Sequence, residues 1–163
     1  MPEVKAQTLV VNAAIDGEIR RHGEETYPHE CCGALIGTGN KVTATVALPN
    51  TTEEGPRRRF MVRPSDYRVA EQKAGELGGD LLGFYHSHPD HPARPSQYDL
   101  DHAWPTFAYI IVAVKGDHDA SAADQGSAGL PRRSAEGAKA GDMSVWFLKE
   151  DRSAFEEGEL NGD

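Results

Sequence analysis

The sequence predicts an α/β fold, in which a β-sheet is sandwiched by helices within a single domain. Short apolar runs of strand length alternate irregularly with segments that carry helix-capping residues. At 163 residues, of which 38% are hydrophobic and 26% charged, the chain can bury one core and needs no second domain. We therefore expect residues 1–163 to form one domain.

The first half of the chain predicts one helix followed by two strands. Asn12 is a favourable N-cap residue, and isoleucines spaced four residues apart follow it, so a helix should run to about His22. Apolar runs bounded by turn residues then predict strands at Cys32 to Gly37 and at Val42 to Leu48.

The middle of the chain predicts a short strand and a second helix. A polar loop leads to the apolar segment Phe60 to Arg63, which has strand character. Pro64 can occupy the first turn of a helix that continues to about Leu77 and is closed by Gly78 and Gly79.

The last third predicts two strands separated by a long polar insertion. The apolar runs Phe107 to Val114 and Met143 to Lys149 are typical of buried strands. Between them, residues 116–141 contain one large apolar residue, Leu130, so this segment cannot bury enough surface to fold alone. We expect a mobile loop there, with Leu130 to Arg133 as its contact point if it has a role.

Charge and composition exclude several classes of function. The net charge of −9 argues against nonspecific nucleic-acid binding, which needs clustered basic residues. Arg57 to Arg59 form a local exception, interpreted as a solvated loop or as a docking patch for a partner. Neither a signal peptide nor an apolar run of membrane-spanning length is visible, so we expect a cytoplasmic protein with no membrane partner. The oligomeric state is left open.

The segment Gly83 to Asp101 has the pattern of a metal site. His86 and His88 follow an apolar run of strand length, so strand alternation points both imidazoles to one face. Ser96 and Asp99 have the spacing of a capping box, which begins a helix and turns Asp99 back toward the histidines. Two imidazoles and one carboxylate suit Zn²⁺ with its fourth position open. The alternative is a polar loop with incidental histidines.

A second polar element enters the strand that begins at Cys32. Glu30 stands at the mouth of that strand, where it is a candidate for moving protons in metal-assisted hydrolysis or, alternatively, an exposed strand-end glutamate. Cys31 and Cys32 are adjacent, which disfavours a disulfide between them. We expect them to be buried packing residues rather than ligands or nucleophiles.

Taken together, Glu30, His86, His88, Ser96 and Asp99 resemble the JAMM motif of the MPN (Mov34) metalloproteases, especially the compact bacterial and archaeal members. The similarity extends over residues 9–149. The resemblance implies the MPN fold, in which a mixed sheet is flanked by helices. It also implies that the two histidines and the aspartate bind Zn²⁺, that the glutamate is the general acid/base, and that the serine stabilises the oxyanion.

The resemblance further implies a substrate class. Similar prokaryotic enzymes cleave after the C-terminal Gly-Gly of ubiquitin-like sulfur-carrier proteins, so we expect a zinc metallopeptidase or isopeptidase that uses a zinc-activated water. Related proteases carry insertions that shape the substrate groove, a role open to residues 116–141. Two alternatives remain: a non-catalytic MPN scaffold, and a RadC-like DNA-associated protein. We expect His22, His29, His91, His102 and His118 to lie on the surface, with His91 and His102 near the rim of the site.

Overall fold

Eight strands and three helices form the part of the chain that the computed structural model describes, which comprises residues 7–48, 63–104, 107–116 and 137–162. In chain order these elements are β1 (Thr8–Val11), α1 (Ala13–Thr26), β2 (Cys32–Thr38), β3 (Lys41–Leu48), α2 (Pro64–Glu76), β4 (Asp80–Pro89), α3 (Gln97–Asp101), β5 (Ala108–Lys115), β6 (Lys139–Leu148), β7 (Phe155–Glu157) and β8 (Glu159–Asn161).

All eight described strands belong to one mixed sheet with the order β7-β6-β5-β4-β2-β3-β1-β8. The central strand β4 pairs antiparallel with β2 and parallel with β5. The two edge strands, β7 and β8, are consecutive in the chain and are joined at Gly158. The amide of Gly158 donates to the carbonyl of Val145 at 2.8 Å, and the amide of Glu159 donates to Gln7 at the same distance. The two edges of the sheet are therefore connected.

Helices cover the two faces of this sheet. On one face, α1 buries Ile15 and Ile19 in an apolar cluster that includes side chains of β4, β5 and β6. On the other face, α2 buries Ala70 and Ala74, and Ala70 packs with Phe84 of β4. The prediction of an α/β sheet sandwiched by helices is therefore confirmed.

The helix termini follow from local sequence. Asn12 caps α1, since its side-chain oxygen accepts the amide of Ile15 at 2.9 Å, as the sequence predicts. Gly78 ends α2 with φ of +76°, a conformation that glycine adopts without steric penalty.

Several predicted boundaries were wrong. Helix α1 continues to Thr26 rather than ending near His22, and its last turn packs closely on the sheet at Gly23, where a Cβ would lie 2.9 Å from Val114. Strand β6 begins at Lys139 rather than Met143, because these small and polar residues pair with the end of β5. Residues 139–141, predicted as loop, are therefore strand. The four-residue strand β1 and the three-residue strands β7 and β8 were missed.

Other predictions fall on residues outside the described ranges. These are most of the predicted strand Phe60 to Arg63, the basic run Arg57 to Arg59, and most of the predicted loop with Leu130 to Arg133. Within the described part of the chain, no helix combines the length and the apolar character needed to cross a membrane.

Candidate metal centre

Strand β4 places the two histidines of the motif on the same face of the sheet. His86 lies opposite Cys32 of β2, and the alternating side chains put His88 on the same side. His86 and His88 are 1% and 7% exposed. Ser87, between them, points to the opposite face and is fully buried.

A capping box at the start of α3 brings in the carboxylate. The Ser96 hydroxyl accepts the amide of Asp99 at 3.0 Å, and the Asp99 Oδ2 atom accepts the amide of Ser96 at 2.8 Å. The structure thus forms the reciprocal pair that the Ser-x-x-Asp spacing predicts. Because Oδ2 is held by the Ser96 amide, the carboxylate is directed toward the two histidines.

Three ligand atoms meet at this point in a nearly equilateral triangle. The His86 and His88 Nε2 atoms are 3.1 Å apart, and Asp99 Oδ2 lies 3.3 Å from the first and 3.2 Å from the second. Tetrahedral Zn²⁺ with bonds of about 2.05 Å holds its ligand atoms about 3.3 Å apart. The triad therefore fits such an ion, and it is the group of potential ligands found among the described residues.

A backbone carbonyl orients one of the imidazoles. The His88 Nδ1 atom lies 2.8 Å from the carbonyl oxygen of Pro92. A carbonyl can only accept, so Nδ1 carries the proton and donates it. The Nε2 lone pair is then free to face the triad, which is the arrangement that metal-binding histidines usually show.

Burial and mutual contact set the charge of the triad. Burial lowers the pKa of His86, although Asp99 opposes this change. Burial also disfavours charge on His88, but the hydrogen bond and charge of Asp99, with the Pro92 carbonyl, outweigh it and raise the pKa of His88. Burial disfavours charge on Asp99 as well, yet the two histidines hold the pKa of Asp99 well below its usual range. The carboxylate is therefore ionised across the physiological pH range.

Glu30 lies just before β2, at the same end of the central strands as the two histidines of β4. Just beyond β2, the amide of Ser87 donates to the carbonyl of Cys31 at 3.2 Å, which continues the register of β2 and β4. Extending this register by one residue predicts Glu30 opposite His88, on the same face. Glu30 is 7% exposed, and its charge contributes to raising the pKa of His88. The alternative of an exposed strand-end glutamate is therefore excluded.

Ser96 stands at the solvent side of the triad. It is exposed, and its hydroxyl accepts one hydrogen bond from the amide of Asp99. A hydroxyl that accepts a bond still has its own proton to donate. Ser96 can therefore hold the helix start and also present a donor beside the three ligand atoms.

The remaining histidines lie mostly as predicted. His29, His91 and His102 are exposed. His102 lines a pocket with His86 and Asp99, and His91 lines a separate groove of about 430 Å³ that also includes Pro92. His22 is the exception, because it is half-buried and its Nδ1 atom lies 2.7 Å from the Tyr85 hydroxyl. His118 lies outside the described residues.

The two cysteines are buried on opposite faces of the sheet, as expected for packing residues. Cys31 packs in the cluster beneath α1, and Cys32 packs in the cluster beneath α2. Burial raises the pKa of Cys31 to about 11, and burial raises the pKa of Cys32 further. The two thiols are not bonded to each other and are poorly suited to act as nucleophiles at neutral pH.

Two residues near the site were missed by sequence reasoning. Ser87 accepts the amide of Cys31 at 2.8 Å, which fixes the backbone next to Glu30. The position of Ser87 between two predicted metal ligands was the sequence feature that could have pointed to it. Pro92 acts through its carbonyl, and no residue pattern reveals the direction of a loop carbonyl.

The protein is an α/β protein with a candidate metal centre. Two buried histidines at the end of the central strand β4 and a buried aspartate of α3 form this centre. The family described as prokaryotic homologs of the JAB domain matches residues 12–124. The match covers more than half of the chain, so this protein belongs to that family, which confirms the resemblance drawn from the sequence.

Three relatives illustrate the similarity. A desampylase of Haloferax volcanii is 36% identical over 92 residues, which are 55% of this chain and 66% of that protein, just under two thirds of its length. A protein of Thermus thermophilus named "Probable TtuB-protein conjugate cleaving protease" is 31% identical over 108 residues, 66% of this chain and 72% of that protein. A solution structure from Salinibacter ruber is 35% identical with a TM-score of 0.65, covering 95% of this chain and 91% of that one.

Proposed function

We propose that this protein is a zinc-dependent metallopeptidase that hydrolyses an amide or isopeptide bond, with residues 1–163 as one catalytic domain. The substrate class is a ubiquitin-like or sulfur-carrier protein, cleaved after its C-terminal Gly-Gly. The observation that carries the proposal is the triangle of ligand atoms, 3.1 to 3.3 Å on each side, and the burial of Glu30 accompanies it.

His86, His88 and Asp99 are the residues that would hold the ion. Their donor set of two imidazoles and one carboxylate is the kind that catalytic zinc sites use. A bound Zn²⁺ supplies a Lewis acid that polarises the scissile carbonyl and lowers the pKa of a water molecule. The Pro92 carbonyl supports this role, because it keeps the Nε2 lone pair of His88 directed into the triad.

Glu30 is the proposed general acid/base. Its carboxylate would take a proton from the attacking water and return it to the leaving nitrogen. Its burial supports this role, because the carboxylate is shielded from bulk water and is near enough for its charge to raise the pKa of His88.

Ser96 is the proposed donor to the oxyanion of the tetrahedral intermediate. Such a hydrogen bond contributes about 3 kcal/mol to transition-state stabilisation in comparable sites. The Ser96 hydroxyl is exposed and accepts the amide of Asp99, so its own proton can be donated to the oxyanion, which supports the assignment.

The substrate class is supported by the names of relatives. One curated relative is a desampylase, and another is named for cleaving protein conjugates of TtuB. These names describe those proteins, and they favour a protein conjugate over a free peptide as the substrate of this chain.

The decisive experiment follows the intact mass of a ubiquitin-like carrier that bears a short extension after its Gly-Gly. We expect cleavage that removes only the extension and stops when a zinc chelator is added. Glu30→Gln should bind zinc normally and lose at least about 100-fold in rate, since it removes the proton acceptor. Glu150→Gln, an exposed glutamate in a turn, is the matched control and should cleave at the wild-type rate.

The other outcomes are equally informative. A fully active Glu30→Gln protein overturns the assigned mechanism. Zinc bound without cleavage argues for another substrate or for an ordering partner. A protein that binds no zinc supports the alternative of a non-catalytic scaffold.

A further inference from the structure

A directed chain of hydrogen bonds runs from strand β6 to the loop that precedes α3. The indole Nε1 atom of Trp146 lies 2.7 Å from the Ser144 hydroxyl, and that hydroxyl lies 2.6 Å from the carbonyl oxygen of Ala93. Trp146 and Ser144 are two residues apart on β6, so their side chains share one face of the sheet.

The chemistry of the three groups fixes the direction of both bonds. An indole N–H can only donate and a carbonyl can only accept. Ser144 must therefore accept from Trp146 and give its single proton to Ala93. These two bonds fix the rotamer of the hydroxyl proton. The bond to Ala93 is therefore better defined than one from a serine hydroxyl that could rotate toward water.

The tethered loop is the one that orients His88. Ala93 is 9% exposed and directly follows Pro92, whose carbonyl receives the Nδ1 proton of His88 at 2.8 Å. Fixing the carbonyl of Ala93 restricts the adjacent peptide group, and therefore the direction of the Pro92 carbonyl. The loop then leads to Ser96, which caps α3 and holds Asp99.

Ser144 itself is too distant to be a ligand. It pairs with Ile111 of β5, and Ile111 pairs with His86 of β4, so two inter-strand spacings of about 4.8 Å separate Ser144 from the first histidine. Ser144 reaches the site only because the loop passes over the same face of the sheet.

We propose that Ser144 is a positioning residue for the metal centre, acting through the Ala93 carbonyl and the adjacent Pro92 carbonyl to hold the His88 imidazole in its metal-binding orientation. This inference rests on the proposed metal site, and it assigns to β6 a role in metal affinity. It makes no use of the peptidase activity.

The test measures zinc affinity by competition with a chromophoric chelator, together with the thermal midpoint of the metal-free protein. We expect Ser144→Ala to weaken zinc binding by about tenfold. This is the lower end of the range of affinity losses for residues that hold a metal ligand in place. Ser144→Thr retains the hydroxyl and should restore affinity to within about threefold of wild type. Ser153→Ala, which removes an exposed serine from a turn, is the matched control and should leave affinity unchanged.

A Co²⁺-loaded sample adds a readout that a merely structural role would not move. The visible spectrum of Co²⁺ reports ligand geometry, so Ser144→Ala should alter it while Ser153→Ala does not. If Ser144→Ala fails to fold, Trp146→Phe replaces it, because it removes the donor that fixes the Ser144 proton. We expect the zinc affinity of Trp146→Phe to be about threefold below that of wild type.

The outcomes separate this inference from the proposed function. If Ser144→Ala binds zinc as tightly as wild type does, the inference is overturned and the proposed function is untouched. The same holds for Trp146→Phe if that variant is used because Ser144→Ala does not fold. A lower thermal midpoint with unchanged affinity and an unchanged Co²⁺ spectrum assigns Ser144 a purely structural role and also overturns it. A wild-type protein that takes up no zinc overturns the proposed function, and the inference with it.

Discussion

The two faces of strand β4 use polar groups in different ways. On the face toward α1, Tyr85 and Ser87 lie beside an apolar cluster that contains Ile19 and Val112. Their polar atoms are paired separately: the Tyr85 hydroxyl lies 2.7 Å from His22, and the Ser87 hydroxyl accepts the amide of Cys31 at 2.8 Å. Within each pair one polar group is the hydrogen-bond partner of the other, and the two pairs do not meet at a common site.

On the opposite face the polar atoms converge. His86, His88 and Asp99 bring three ligand atoms within 3.3 Å of one another. Two imidazole nitrogens and a carboxylate oxygen this close need an ion or shared protons to lower their mutual repulsion. Because side chains alternate along β4, the residues that pack against α1 lie on one face and the potential metal ligands lie on the other. Changes on one face should therefore alter stability, and changes on the other should alter metal affinity.

The largest effect is expected for Asp99→Asn. The substitution keeps the size of the side chain but removes its negative charge, so zinc affinity should fall by more than about 100-fold. Chelator competition measures this loss. Ile19→Ala, on the face toward α1, is the contrasting variant: Ile19 is fully buried, so its truncation should cost about 2–5 kcal/mol of unfolding free energy while the folded protein keeps its zinc affinity. Equal zinc loss in both variants would contradict the separation of the two faces.

Asp99 also predicts a pH dependence in the metal-free protein. Because the two histidines hold the pKa of Asp99 below its unfolded value, the carboxylate stabilises the fold above the unfolded pKa of about 3.9. This contribution is lost as the pH falls through the folded pKa. The stability difference between wild type and Asp99→Asn should therefore be full above about pH 5 and shrink below pH 4 in chelator-treated samples. A difference that grew on acidification would contradict the described contacts.

Alternation and capping explain why much of the site was predictable. The period of a strand places His86 and His88 together, and the Ser96 to Asp99 spacing turns the carboxylate toward the helix start. Both are short-range rules, which apply before any tertiary contact forms. The role of Glu30 needed the family resemblance, because the residue pattern alone favoured an exposed strand-end glutamate.

The parts that sequence did not predict depend on long-range contacts. Strands β7 and β8 have three residues each, too few to show a period, and they form by pairing with β6 and β1. The start of β6 carries no apolar run and is held by Glu24 of α1, which accepts the amide of Ala140 at 2.8 Å. The Ser144 tether joins residues 51 apart in sequence. Local patterns contain no information about such partners.

An intermediate effect is expected for Ser87→Ala, because Ser87 connects the two faces. Its hydroxyl lies on the face toward α1, yet it holds the amide of Cys31, which directly follows Glu30. Removing it leaves a buried amide without this acceptor, which costs about 1–3 kcal/mol. The displacement of Glu30 should lower kcat by about tenfold. Zinc affinity should stay within about twofold of wild type, since the ligands keep their contacts.

Steady-state kinetics on the extended carrier, with zinc affinity measured on the same samples, tests this split. Ser153→Ala again serves as the exposed control. A Ser87→Ala protein with normal kcat at saturating zinc would show that Glu30 does not depend on the Cys31 backbone for its position.

The smallest effect is expected for the cysteines, one on each face. Cys31→Ala removes a buried thiol that lies in the α1 cluster, so kcat and zinc affinity should both stay within about twofold, with a stability loss of about 1 kcal/mol. In the unmodified protein the pKa of about 11 leaves roughly one thiolate in a thousand at pH 8, so iodoacetamide should react far more slowly than with an exposed cysteine. The alkylation rate should rise with pH up to the limit of native stability. Rapid labelling of Cys31 or Cys32 at neutral pH that also released zinc would assign a thiol to the centre and remove the distinction between the packing face and the metal face.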